Sequence, residues 1–95
     1  MNVAIIGGGA AGFFAAIAVK ENYPEAGVTI LEKSNKLLAK VKVSGGGRCN
    51  VTNNCIVISE LIKAYPRGGK KLRKPFEIFN TLDTKSWFEK KGVKL

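Results

Sequence analysis

Apolar and polar positions alternate in blocks along the first third of the chain. Asn2 to Ile6 is a short apolar run, rich in β-branched residues, that ends at a glycine. Such a run predicts a strand buried on both faces, as in a parallel sheet. Ala10 to Asn22 is rich in helix formers, and its apolar residues (Phe13, Phe14, Ala15, Ala16, Ile17, Ala18, Val19) go nearly all the way round. That distribution predicts a buried helix. Lys20 in its last turns suits the negative end of the helix dipole, and Pro24 stops the helix. Val28 to Leu31 predicts a second buried strand. Together the three elements make a βαβ unit of about 30 residues. The fold class that follows is α/β, a Rossmann-like βαβ dinucleotide-binding unit.

The pattern is weaker further on. Ser34 to Ala39 is polar, with room for a turn of helix. Lys40 to Val43 alternates lysine and valine, which predicts a short extended segment. Ser44 to Gly47 predicts a loop, because three consecutive glycines cost entropy inside an element. Ser59 is an N-cap candidate for a helix ending before Pro66, and Pro66 to Gly69 reads as a turn. A short helix is expected over Pro75 to Asn80. Asp83 or Thr84 could cap another that carries Trp87 and Phe88 and stops at Gly92. Val93 to Leu95 is expected to open a further element. The default for Trp87 and Phe88 is core packing. No internal repeat or low-complexity segment is visible.

Composition narrows the class. The chain has 95 residues, 45% hydrophobic and 24% charged, as expected of one small globular domain and not of a disordered chain. No apolar run approaches the roughly 20 residues that span a bilayer. The start, MNVAII, has no basic leader and only a short apolar core, so a cytoplasmic location is expected. Cys49 and Cys55 are not at Cys-x-x-Cys spacing and histidine is absent; neither a disulfide nor a metal site is expected. The formal net charge is +9, with most of the excess after residue 60. That balance attracts anions in general, and solvated surface is its plainer reading.

The candidate chemistry begins at Gly7-Gly8-Gly9-Ala10-Ala11-Gly12, which matches Gly-x-Gly-x-x-Gly. A strand should precede it, a helix should follow it, and an acid stands at the right distance. Gly7 would permit the tight turn out of the strand. Gly9 would let a pyrophosphate approach the backbone, and Gly12 would let the helix pack close to the sheet. The N–H groups around Ala10 and Ala11, with the helix dipole, would hold the anion. The alternative is a glycine turn that only joins two elements. Glu32 lies 20 residues after Gly12. A carboxylate there can accept hydrogen bonds from ribose hydroxyls and repels a 2′-phosphate, which disfavours NADP. Its alternative is an ordinary surface acid.

This fingerprint does not separate NAD from FAD; the next segment does. The string Ser44-Gly-Gly-Gly-Arg-Cys-Asn-Val-Thr-Asn53 resembles the start of the HI0933-like, or BaiN-like, family of bacterial NAD(P)/FAD-dependent oxidoreductases. Tyr65-Pro-Arg-Gly-Gly-Lys-Lys-Leu, Asp83-Thr84 and Trp87-Phe88-Glu89 resemble one of its subgroups. The resemblance covers essentially all 95 residues. It implies that residues 1–95 are the amino-terminal part of a longer FAD/NAD(P)-binding Rossmann-like domain, truncated here. FAD is the cofactor it implies, with Ser44 to Asn50 along the pyrophosphate-to-flavin part. NAD(P)H enters as a candidate electron donor, and the substrate is an unidentified small molecule.

The residues are chemically compatible with that placement. The N–H groups of Gly45, Gly46 and Gly47 can form an anion-binding nest or approach a flat ring edge. Arg48 could pair with a phosphate oxygen or the flavin's pyrimidine edge, or simply make a structural salt bridge. Ser44 and Asn50 offer short polar contacts. Lys33 and Lys40 could add positive charge or be solvated. Cys49 reads as a small residue beside the cofactor more readily than as a redox thiol, and Cys55 as core. Tyr65 to Lys71 reads as a turn flanked by solvated charge more readily than as an anion site.

The leading reading is a flavin-dependent oxidoreductase. No general acid or base can be named from these residues, and activity of this piece alone is not expected. An NAD-dependent dehydrogenase is permitted by the first 32 residues, but the Ser44 to Asn53 string argues against it. A basic anion-binding or nucleic-acid-binding module rests on the charge alone and lacks an aromatic platform. Neither nucleic acid nor membrane is an expected partner. A short βαβ unit leaves sheet edges and apolar faces uncovered, so self-association or low stability is expected.

Overall fold

The computed structural model describes residues 1–47 and 50–95. They fall into two compact units, Met1–Asn50 and Val51–Leu95.

In the first unit, strand β1 (Asn2–Ile6) leads through the glycine turn into helix α1 (Ala10–Asn22), and strand β2 (Gly27–Leu31) follows. β1 and β2 are parallel, in register from Asn2 opposite Gly27 to Ile6 opposite Leu31. The α1–β2 turn is held by Lys20, whose ammonium group donates to the carbonyl oxygens of Pro24 and, at 3.0 Å, Ala26. The positions of β1, α1 and β2 agree with the hydrophobic pattern, but their burial does not. Both strands alternate half-buried with exposed residues. Helix α1 covers the face carrying Ile5, Val28 and Ile30, while Ile6 is 80% and Leu31 50% exposed on the other. No residue of α1 is fully buried either. The runs are apolar on both sides as expected, yet within this unit one helix covers only one face.

After β2 the chain turns back through residues 33–38 into helix α2 (Ala39–Val43), followed by a 3₁₀ turn at Ser44–Gly47. Both differ from the expected extended segment and loop. Lysine and valine alternate in α2, but Leu38 sets the local path. It takes a left-handed conformation, φ 53°, and its carbonyl accepts from the Lys42 N–H at 3.0 Å, closing a helical turn. Arg48 and Cys49 lie outside the described residues.

The second unit is helical. Short helix α3 (Ile58–Leu61) runs into a 3₁₀ turn (Ile62–Ala64), then come α4 (Gly69–Ile78) and α5 (Thr81–Lys90). Ser59 lies inside α3 and does not cap it; Val57 stands at the cap position. The short helix expected at Pro75 is longer and earlier, with Pro75 inside α4. Gly69 explains the early start. A Cβ on it would run into the Ile62 carbonyl oxygen, so only glycine lets α4 begin against the 3₁₀ turn. The cap of α5 is Asn80, not Asp83 or Thr84. Its side chain accepts from the N–H groups of Leu82 and Asp83, while Asp83 accepts from the Asn80 N–H, a capping box. Gly92 does end α5, at φ 84°. Its N–H donates to the Glu89 carbonyl and that of Val93 to the Phe88 carbonyl, a Schellman stop. No element follows at Val93–Leu95.

Leu61 is the buried side chain at the centre of this unit, and buried Thr81 donates to the Cys55 carbonyl at 2.8 Å. Tyr65 and Phe76 contact with ring centroids 5.8 Å apart, Trp87 and Phe88 edge-on at 4.9 Å. Cys55, Trp87 and Phe88 are half-buried and not fully in a core. Among the described residues no helix is long and apolar enough to cross a membrane, and no group of acidic, cysteine or histidine residues could hold a metal ion.

Candidate dinucleotide-binding site

The turn from β1 into α1 uses its glycines for different ends. Gly7 has φ 106°, a conformation that favours glycine, and its N–H donates to the Leu31 carbonyl at 2.7 Å. A Cβ on Gly9 would meet nothing within 4 Å, so the space above the loop is open. A Cβ on Gly12 would strike the Gly7 carbonyl oxygen. Helix α1 can therefore lie against the turn only with glycine at this position. Gly9 stands at the N-cap of α1, where no side chain caps the helix and no acid occupies the first turn. The first N–H groups of a helix have no intrahelical acceptor, and the dipole there favours an anion. Gly9, Ala10 and Ala11 are all exposed. The cradle thus has free donors, a clear approach and no competing carboxylate in the first turn of the helix.

Glu32 follows β2 directly and reaches the same turn. Its Oε1 accepts from the Gly8 N–H at 3.1 Å, and its Oε2 accepts from the Ser34 N–H at 2.7 Å. These bonds to Ser34 and Gly8, with the charge of Lys33, hold its carboxyl below the ordinary glutamate value against a smaller opposing effect of desolvation. Glu32 is therefore a carboxylate at neutral pH, half-exposed at the rim of the loop.

The structure brings together Gly7, Gly9, Ala10, Ala11, Gly12 and Glu32, while Lys33 is exposed next to Glu32. Lys40 is exposed on α2, and Ser44 is half-buried at the start of the 3₁₀ turn with Gly45, Gly46 and Gly47. No hydrogen bond joins Ser44 or Gly46 to the Gly7–Gly12 loop among the described residues. Asn50 is exposed, and Arg48 and Cys49 are the two expected site residues outside the described residues. Sequence reasoning overlooked Gly8, which fills a variable position of the motif. It is the buried glycine of the loop, with space for a Cβ closed by the Leu37 side chain at 2.5 Å and the Glu32 stem at 3.2 Å. The signal was present in the sequence as a third consecutive glycine where the motif asks for two.

The chain is 37% identical over 81 residues to the 3-dehydro-bile acid delta(4,6)-reductase of Clostridium scindens. That match takes in 85% of this chain and 20% of the relative, so the chain spans about a fifth of that protein's length. No solved structure matches the chain. The HI0933-like protein Rossmann domain matches residues 1–95, from the first strand to the last residue. The chain with this glycine turn and strand-end carboxylate belongs to the HI0933-like Rossmann-domain family.

Proposed function

We propose that this chain is the FAD-binding portion of a flavin-dependent oxidoreductase. The observation that carries the reading is the division of labour in the Gly7–Gly12 turn. Gly9 leaves a clear approach to the uncapped start of α1, while Gly12 is required for α1 to lie against the turn. A pyrophosphate fits that cradle, because exposed N–H groups and the helix dipole favour a dianion and no carboxylate opposes it in the first turn. Glu32 would take the ribose hydroxyls with the lone pairs left beside its two backbone bonds. Ser44 to Asn50 would run toward the flavin.

FAD is favoured over NAD by the resemblance that the Ser44–Asn53 string carries. Bound FAD would supply a two-electron centre for hydride transfer. The chain's own residues bind and orient: they hold the phosphates, fix the ribose and repel a 2′-phosphate at Glu32. The full-length protein is proposed to be a cytoplasmic reductase that draws electrons from NAD(P)H.

Titration of the chain with FAD, NAD and NADP tests the proposal, read by flavin fluorescence and binding heat. Binding of FAD alone supports it. Binding of NAD in preference to FAD would make a single-Rossmann dehydrogenase the better account.

A further inference from the structure

We infer that Leu37 and Leu38 are positioning residues of the phosphate loop, locking Gly8 together with Glu32; the inference rests on the dinucleotide reading above. Gly8 is the only fully buried residue of the Gly7–Gly12 turn. Its N–H is held by Glu32 at 3.1 Å, and its carbonyl accepts from the Leu38 N–H at 2.8 Å. Both peptide groups that flank its Cα are therefore fixed by the segment that follows β2. The Leu37 side chain closes the remaining space, reaching 2.5 Å from where a Gly8 Cβ would sit.

Leu38 makes this bond at φ 53°, and it is the one non-glycine residue with positive φ among those described. A leucine rarely adopts that conformation, so the surroundings must hold it there. Two bonds do so. The Leu38 N–H points at Gly8, and its carbonyl accepts from Lys42 to begin α2. Gly8 precedes Gly9, whose open side faces the incoming phosphate. A Gly8 peptide free to rotate would turn the donors of the next residues away from the anion. The lock keeps the cradle formed before the ligand arrives, which lowers the ordering cost of binding.

Three variants test this. Leu38→Pro removes the N–H and fixes φ near −65°, so it breaks the lock; Leu37→Ala only uncovers Gly8; Leu38→Gly keeps the N–H and takes positive φ freely. FAD affinity should fall about tenfold in Leu38→Pro, the size expected for one lost hydrogen bond to a buried group, and less in Leu37→Ala. Leu38→Gly should bind as the parent does. Amide hydrogen exchange separates positioning from unfolding: the Gly8 amide should exchange faster in Leu38→Pro and Leu37→Ala while the amides of β1 keep their protection. Unchanged Gly8 exchange in both variants would overturn the inference, as would protection lost equally across β1. A parent chain that binds no FAD would sink the cofactor reading, and the exchange comparison would still decide the lock.

Discussion

Gly9 and Gly12 carry the same side chain for opposite reasons, and alanine distinguishes them. At Gly12 an added methyl group meets a backbone oxygen that cannot swing aside. Gly12→Ala should destabilise the first unit by about 1–3 kcal/mol, the usual cost of overpacking. A lower denaturant midpoint would show it. At Gly9 the methyl group enters open space. Gly9→Ala should leave the midpoint within about 0.5 kcal/mol of the parent while weakening FAD binding, because the obstruction appears only with the phosphate in place. Equal loss of stability in both variants would contradict this division. Glu32 adds a pH dependence. Its carboxyl is held below the ordinary glutamate value in the folded chain by its bonds to Ser34 and Gly8. The stabilisation is therefore complete above the unfolded value and lost as pH falls through the lower folded value. FAD affinity should be flat near neutrality and drop on acidification, and Glu32→Gln should flatten that acid limb.

At the scale of elements, legibility followed the strength of the local pattern. Asn2–Ile6 and Ala10–Asn22 were readable to the residue because three consecutive glycines and a proline mark off two largely apolar runs. α2 was not, because its helical path is imposed by Leu38 in a conformation that leucine seldom takes. The start of α4 was hidden for a similar reason. Two glycines and four nearby cations suggest a turn, and only the contact of Gly69 with the Ile62 carbonyl shows why the helix begins there. The positive φ of Gly7 and the close approach at Gly12 agree with the motif's spacing; the burial of Gly8 could not be read from it, since it depends on Leu37 folding back. Two predictions belong to this scale. Asn80→Ala removes the acceptor half of the α5 capping box and should cost about 1 kcal/mol in the second unit. Pro75 has no N–H to give the Lys71 carbonyl within α4. Pro75→Ala should raise helicity by circular dichroism and the melting temperature, with about 3 kcal/mol as the ceiling set by proline's cost inside a helix.

For the whole molecule, exposed apolar surface and excess charge pull in opposite directions. Ile6, Leu31, Val43 and Ile78 are all at least half-exposed, and only Gly8, Ala26, Leu61 and Thr81 are fully buried among the described residues. Ten of the 16 basic residues and four of the seven acids lie in Val51–Leu95. The apolar surface favours association between copies, and a net charge of +9 opposes it. Salt screens the second effect far more than the first, the Debye length shrinking to about 3 Å at 1 M. The average mass in sedimentation equilibrium should thus rise with protein concentration and rise further with salt. A mass that falls with salt would mean that attraction between unlike charges holds the copies together.

Glu32 also bears on how such a chain could be re-engineered. A common route to a 2′-phosphorylated cofactor is to exchange the acid after the second strand for a small or basic residue. Here that acid is also the acceptor for the Gly8 N–H, so the exchange would remove a repulsion and a strut at once. Under the proposed ribose role of Glu32, cofactor preference and cradle rigidity would both depend on one side chain. A change of preference would first need a substitute acceptor for Gly8, and variants made in the reverse order should lose both nucleotides before gaining either.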